Sequence, residues 1–93
     1  ALKGPTARDY YAAADYYYTS GKDLEQALEW INKATEGNAT FWMLRKKSLI
    51  EAKLGKKKDA IKTAKASLKA AKAAGNDDYV KMNEDSLKEW GAK

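Results

Sequence analysis

The sequence predicts an all-α chain, built as two helical hairpins laid side by side and covered by a fifth helix. Three observations predict it. First, one pattern occurs twice: Gly21 and Gly55 are 34 residues apart, Ala27-Leu28 and Ala60-Ile61 are 33 apart, and each pair is followed seven positions on by a small residue, Ala34 or Ser67. A period near 34 is that of stacked helix-turn-helix units. Second, apolar residues recur at helical spacing between glycines and capping residues. Third, no stretch alternates with period two, so no sheet is expected.

The chain is read as a single domain, residues 1–93, with helices over about 7–20, 23–36, 41–54, 57–74 and 78–90. Pro5 disfavours helix just before it, and Thr6 can cap a helix starting at Ala7. Tyr10, Ala13, Ala14 and Tyr17 share one face of that helix, with Tyr11 and Tyr18 adjoining. Gly21 suits the left-handed position that ends it. Asp23 caps the second helix, with Gln26 completing a box-like pair. Leu24, Ala27, Leu28, Ile31 and Ala34 are its buried stripe, and Gly37-Asn38 is expected to end it as Gly21 ends the first.

Thr40 caps the third helix. Its apolar residues spread over three faces: Phe41, Leu44, Ser48 and Ala52; Met43, Ile50 and Leu54; Trp42 and Leu49. A helix apolar on most of its circumference should be central, touched from several sides. Gly55 ends it. Ala60, Ile61, Ala64, Leu68 and Ala71 form the inner stripe of the fourth helix, where small residues permit close approach. Gly75-Asn76 ends that helix, and Asp77 or Asp78 caps the fifth, which carries Tyr79, Val80, Met82, Asn83, Leu87 and Trp90. A terminal helix of this kind covers the apolar face a stack of pairs would otherwise expose.

Composition narrows the chemistry. The 93 residues include no Cys and no His. That removes disulfides, thiolates, the commonest metal ligand and the commonest general base near neutral pH. No nucleophile-and-base constellation appears, so neither an enzyme nor a cofactor is expected. No apolar run approaches the roughly 20 residues of a membrane span, and no signal peptide is visible. A chain of this length buries only about 60–65% of the surface it exposes when unfolded, so it must pack efficiently or lean on a neighbour. The first residue is Ala1, not Met, which reads as a processed or excised part of a longer protein.

The net charge of +5 is uneven. Ala1 to Met43 holds four basic and six acidic residues, Leu44 to Lys72 holds eleven basic against Glu51 and Asp59, and the remainder holds three basic and five acidic. Lys58, Lys62, Lys65, Lys69 and Lys72 are spaced 4, 3, 4, 3 and share one face of the fourth helix. Such a ridge can attract nucleic acid or an anionic surface. It lacks interleaved aromatics, however, and Lys and Ala are good helix formers, so the plain reading is a solvated face. Asn38-Ala39-Thr40 fits a glycosylation acceptor but is equally a helix end followed by a cap. Asp77-Asp78 favour a helix N-terminus, and Glu84-Asp85 are polar positions between apolar ones.

The chain resembles a tetratricopeptide repeat in Tyr10, Ala13-Ala14, Tyr17, Gly21, Ala27 and Ala34, with one extra residue between Gly21 and Ala27. The second copy departs further, with Leu44 for the aromatic, Ser48 for the small residue and Ser67 for the last Ala. Both copies lack the closing Pro, with Asn38 and Lys72 near its place. The run from Gly21 to Ala34, Phe41-Trp42, Leu54 to Lys58 and Gly75 to Ser86 are similar to the C-terminal helical-repeat region of an uncharacterised bacterial family, usually exported, whose members carry a β-rich domain before this region. The resemblance implies a right-handed α–α superhelix that binds a protein or peptide, or another domain of the same polypeptide, and it brings no activity.

It also implies a concave groove. Its residues here would be Arg8, Tyr11, Asp15 and Tyr18 from the first helix, Trp42, Arg45, Leu49 and Ala52 from the third, and Val80, Asn83 and Leu87 from the fifth. Aromatics with Arg make a typical interaction hot spot. With only two pairs, the same aromatics can instead be packed beneath the fifth helix. The carboxylate clamp of some tetratricopeptide domains is not expected, because Leu49 stands where its Asn would be.

Overall fold

The computed structural model describes residues 6–37 and 39–92, and these form five helices: α1 (Ala7–Ser20), α2 (Leu24–Thr35), α3 (Phe41–Lys53), α4 (Lys57–Ala74) and α5 (Asp77–Glu89). No strand occurs among the described residues. α1 and α2 form one hairpin and α3 and α4 a second; α2 packs on α3, and α5 lies mainly on α4. α3 touches all four other helices, and only Lys53 of its residues is exposed.

The helix ends follow local chemistry. Thr6 accepts from the Asp9 amide at 3.2 Å while the Asp9 carboxylate accepts from the Thr6 amide at 2.9 Å, a complete capping box. Asp23 accepts from the Gln26 amide at 3.1 Å, but the Gln26 side chain reaches towards Glu29, so that box is half made. Thr40 caps α3 through the Met43 amide. Gly21 and Gly75 adopt φ of 69° and 72°, and their amides turn back to Tyr17 and Ala71.

Two expectations need correction. Gly37 is not left-handed: α2 ends on Glu36 in a right-handed conformation, and the Thr35 hydroxyl binds the carbonyls of Ile31 and Asn32. Asn38 lies outside the described residues. At α5 the cap is neither Asp77 nor Asp78 but Asn76, whose side chain accepts from the Tyr79 amide at 3.0 Å; the aspartates occupy the first turn.

The molecule is a slab of about 46 × 29 × 18 Å. Eighteen ångströms holds only two helix layers, since a helix with its side chains is about 10 Å across. Few large side chains are therefore wholly enclosed. Ala14, Ala27, Ile31, Ala34, Met43 and Ile50 form the core between α1, α2 and α3, with Tyr10, Tyr11, Tyr17, Tyr18, Leu28, Trp30, Trp42 and Leu54 half-buried around it. Tyr17 meets Trp30 edge-to-face at 4.8 Å. Ala60, Ala64 and Ala71 line the α4 side.

A polar chain fixes α5 to α3 and α4. The buried Ser67 hydroxyl donates to the Phe41 carbonyl at 2.7 Å and accepts from Asn83 Nδ2 at 2.8 Å. Asn83 Oδ1 in turn accepts from Arg45 Nη1 at 3.2 Å, and that nitrogen also donates to the Ser86 hydroxyl at 3.2 Å. Phe41 packs edge-to-face on Tyr79 at 4.9 Å alongside. Ser67 and Asn83 are 0% exposed, so every partner lost there leaves a dry polar group. Asn83→Ala is expected to lower stability by about 2–4 kcal/mol, because the Ser67 hydroxyl oxygen loses its donor, Arg45 Nη1 loses one of its two acceptors, and volume is vacated. Urea unfolding checks the magnitude; faster hydrogen exchange in α5 than in α1 and α2 checks the location.

Candidate functional site

α1 and α3 present one surface together. Tyr11 on α1 meets Trp42 on α3 edge-to-face, ring centres 4.8 Å apart. One turn further along α3, Lys46 pairs with Asp15 of α1 at 2.7 Å and sets its ammonium 4.8 Å from the centre of the Tyr18 ring. Lys53 approaches the same ring at 5.0 Å. Tyr18 thus receives two cations, an arrangement that the electron-rich ring face favours. Arg45 stands between Trp42 and Leu49 along the helix, its Nη1 committed to Asn83 and Ser86. Its Nε and Nη2 hydrogens have no protein acceptor, and it forms no ion pair, among the described residues.

Burial perturbs this surface. It pulls the Arg45 guanidinium below its ordinary value, opposed by the nearby Tyr79, Tyr18 and Asp85. A guanidinium stays charged regardless, so the desolvation falls on a cation that lacks a carboxylate. Burial likewise raises the Tyr11 phenol, against the pull of Lys46 and with the push of Asp15 and Tyr79. Tyr79 of α5, packed on Phe41, is near enough to act on both groups, a neighbour the sequence reading missed.

Of the groove residues named from the sequence, Tyr11, Asp15, Tyr18, Trp42, Arg45 and Leu49 are all half-buried on α1 and α3. Arg8 is exposed at the start of α1. Asn83 does not line an open groove: it is fully enclosed and anchors Arg45 from beneath. Lys46 and Lys53 also belong to the surface, although in the sequence they are merely two of the eleven basic residues between Leu44 and Lys72. Their signal was present, since Lys46 and Lys53 follow Trp42 by 4 and 11 positions, the spacing of one helical face.

The lysine ridge stands apart. Lys58, Lys62, Lys65, Lys69 and Lys72 are all exposed, and none forms an ion pair among the described residues. No group of three or more acidic, His or Cys side chains suited to a metal occurs among the described residues, and no described helix is long and apolar enough to cross a membrane. Asp85 makes a long contact to Lys81 at 3.5 Å.

On the opposite side of α3, Glu51 is 5% exposed, and its Oε1 has no hydrogen-bond partner. Burial raises its carboxyl above the ordinary value, partly offset by Thr63 and Lys47. Comparisons of the chain with protein-family models, curated proteins and solved structures find no match.

The Glu51 carboxyl binds a proton more tightly folded than unfolded, so stability falls as pH rises through the interval between the two values. The penalty is absent below the ordinary value near 4.5 and complete above the raised one. Glu51→Gln should therefore match the native chain at pH 4 and exceed it in stability at pH 7, because the amide keeps the shape but carries no charge to desolvate. Urea unfolding of both proteins at the two pH values checks this, and an equal difference at both contradicts it.

Proposed function

We propose that the chain is a protein- or peptide-binding module of the tetratricopeptide type, with no catalytic activity of its own. The observation that carries this reading is the joint surface of α1 and α3. Three aromatic rings, Tyr11, Tyr18 and Trp42, stand half-exposed beside Arg45, Lys46 and Lys53. Flat aromatic area offers contact at little entropic cost, and Arg45 offers a desolvated fork with free donors. Binding energy in protein interfaces concentrates on this combination. The helical hairpins hold both halves of the surface on rigid elements, so little ordering remains for the partner to drive.

The partner we infer is an extended peptide or a surface segment of another domain, including one in the same polypeptide. It would set an apolar side chain against Tyr11 and Trp42 and an acceptor at Arg45. The resemblance to the repeat region of an exported bacterial family agrees with such a role. The lysine ridge on α4 gives the competing route, through bulk charge to nucleic acid or an anionic surface, and salt separates the two. Binding that neutralises phosphates weakens steeply with added salt, whereas aromatic contacts persist.

The test selects dodecapeptides from a random displayed library on the immobilised chain and titrates the synthetic hits by calorimetry. Trp42→Ala is expected to weaken binding at least about tenfold, the effect of removing a central anchor. Lys62→Glu/Lys65→Glu/Lys69→Glu should leave it within about twofold, as rim charges do. Circular dichroism confirms that both variants remain helical. Hits that survive Trp42→Ala but disappear with the lysine triple variant and in high salt overturn the reading.

A further inference from the structure

Between α3 and α4, away from the aromatic surface, lies an open-sided cavity of about 400 Å³. Leu44, Lys47 and Glu51 of α3 face Asp59, Lys62 and Thr63 of α4 across it. Leu44 and Trp42 are two positions apart on α3, so their side chains leave the helix about 200° apart. This site is independent of the proposed groove.

Its lining has an unusual charge pattern. Lys47 and Lys62 are cations, Glu51 and Asp59 are anions, and all four border one small volume. None of them forms an ion pair with another residue among the described residues. Glu51 forms the inner wall, almost wholly enclosed, with Oε1 unpartnered. An enclosed carboxylate oxygen without a donor is costly, and Asp59 adds like-charge repulsion. Oε1 itself is sealed from solvent, so a positive group in the cavity would lie between the outer edge of the Glu51 carboxylate and Asp59 and relieve the repulsion between them. The two lysines oppose a simple cation, however, and favour a ligand that also carries a negative group. Leu44 and Ala66 supply an apolar wall. The volume lies at the lower end of the range for small-molecule sites.

We propose that this cavity binds a free aliphatic α-amino acid as its zwitterion. The ammonium sits between Glu51 and Asp59, the carboxylate meets Lys47 and Lys62, and the side chain lies against Leu44 and Ala66. Neither charge of the ligand alone satisfies the set, because a bare amine leaves the lysines unanswered and a bare carboxylate leaves Glu51 unanswered.

The test is an amide-resolved NMR titration of the whole chain with leucine, N-acetylleucine and 3-methylbutylamine. Leucine should shift the Lys47, Glu51, Asp59 and Thr63 amides saturably, with a Kd of about 1 mM. The analogues, each lacking one charge, should bind at least about tenfold more weakly, as for loss of a charge-assisted contact. Glu51→Gln and Asp59→Asn should each weaken leucine to the same degree. Glu51→Gln keeps the side-chain shape and removes a buried charge, so folding is not at stake. Trp42→Ala should leave leucine binding unchanged, which separates this site from the groove. Equal binding of the amine reduces the cavity to a cation site, and equal binding of N-acetylleucine to an anion site; either overturns the proposal. So does leucine binding that Glu51→Gln leaves intact, or the absence of any saturable shift with the genetically encoded amino acids up to about 20 mM, beyond which weak binding has no specificity.

Discussion

The fully enclosed amide of Asn83 is the constraint on which the arrangement of this molecule depends. It has both a donor and an acceptor to satisfy with no water present, and it meets them on two different helices: Ser67 on α4 and Arg45 on α3. Ser67 passes the linkage to the Phe41 carbonyl at the first turn of α3. Apolar packing is non-directional and tolerates sliding. A buried amide does not, because a shift of an ångström leaves a donor stranded. The buried residues of α5 are Asn83 and Ser86, and both are polar. Its position is thus fixed by hydrogen bonds as well as by packing such as Tyr79 on Phe41.

The same linkage decides what α3 can display. A central helix in a two-layer slab is touched along its length yet never surrounded. Its charged residues are accordingly half-desolvated rather than solvated. Arg45 and Glu51 lie six positions apart, and burial acts on both in the direction of neutrality. The two respond differently. A guanidinium cannot shed its proton at any relevant pH, so Arg45 keeps its charge and takes neutral acceptors, Asn83 and Ser86, as a floor. A carboxyl can take up a proton, and Glu51 does so more readily than a free one. One face of α3 therefore holds a permanent charge and the other a conditional one.

How much of this the sequence disclosed follows from the range of each interaction. Helix existence and most helix ends are local matters. Thr6, Gly21, Asp23, Thr40 and Gly75 act within four residues of themselves, and their chemistry was legible. Gly37 misled because glycine permits a left-handed turn without demanding one, and the hydroxyl of Thr35 engaged the last carbonyls instead. Asn76 was passed over for the aspartates beside it, although all three are good caps. The Ser67–Asn83 contact spans 16 residues and the Arg45–Ser86 contact 41; neither is visible to any periodicity. Ser67 looked like a small residue filling the place of an alanine, and Asn83 like a polar position on an amphipathic helix. Glu51 looked like one of two acids in a basic segment, because enclosure is a property of the fold and not of the neighbours in sequence.

The thinness of the slab connects these points to function. With two layers of helix there is no interior deep enough to hide Tyr11, Tyr18 and Trp42, so each is enclosed on one side only. Their residual exposure is not a failure of packing: Tyr11 and Trp42 lock edge-to-face, and Tyr18 is flanked by the ammonium groups of Lys46 and Lys53. Each ring is held in one orientation by contacts within the chain. A surface that is apolar, rigid and rimmed by fixed cations has little entropy left to lose on contact. α5 lies chiefly on α4, tied to it by Asn83 and Ser67 and to α3 by Arg45, and Tyr11, Tyr18 and Trp42 of α1 and α3 remain half-exposed.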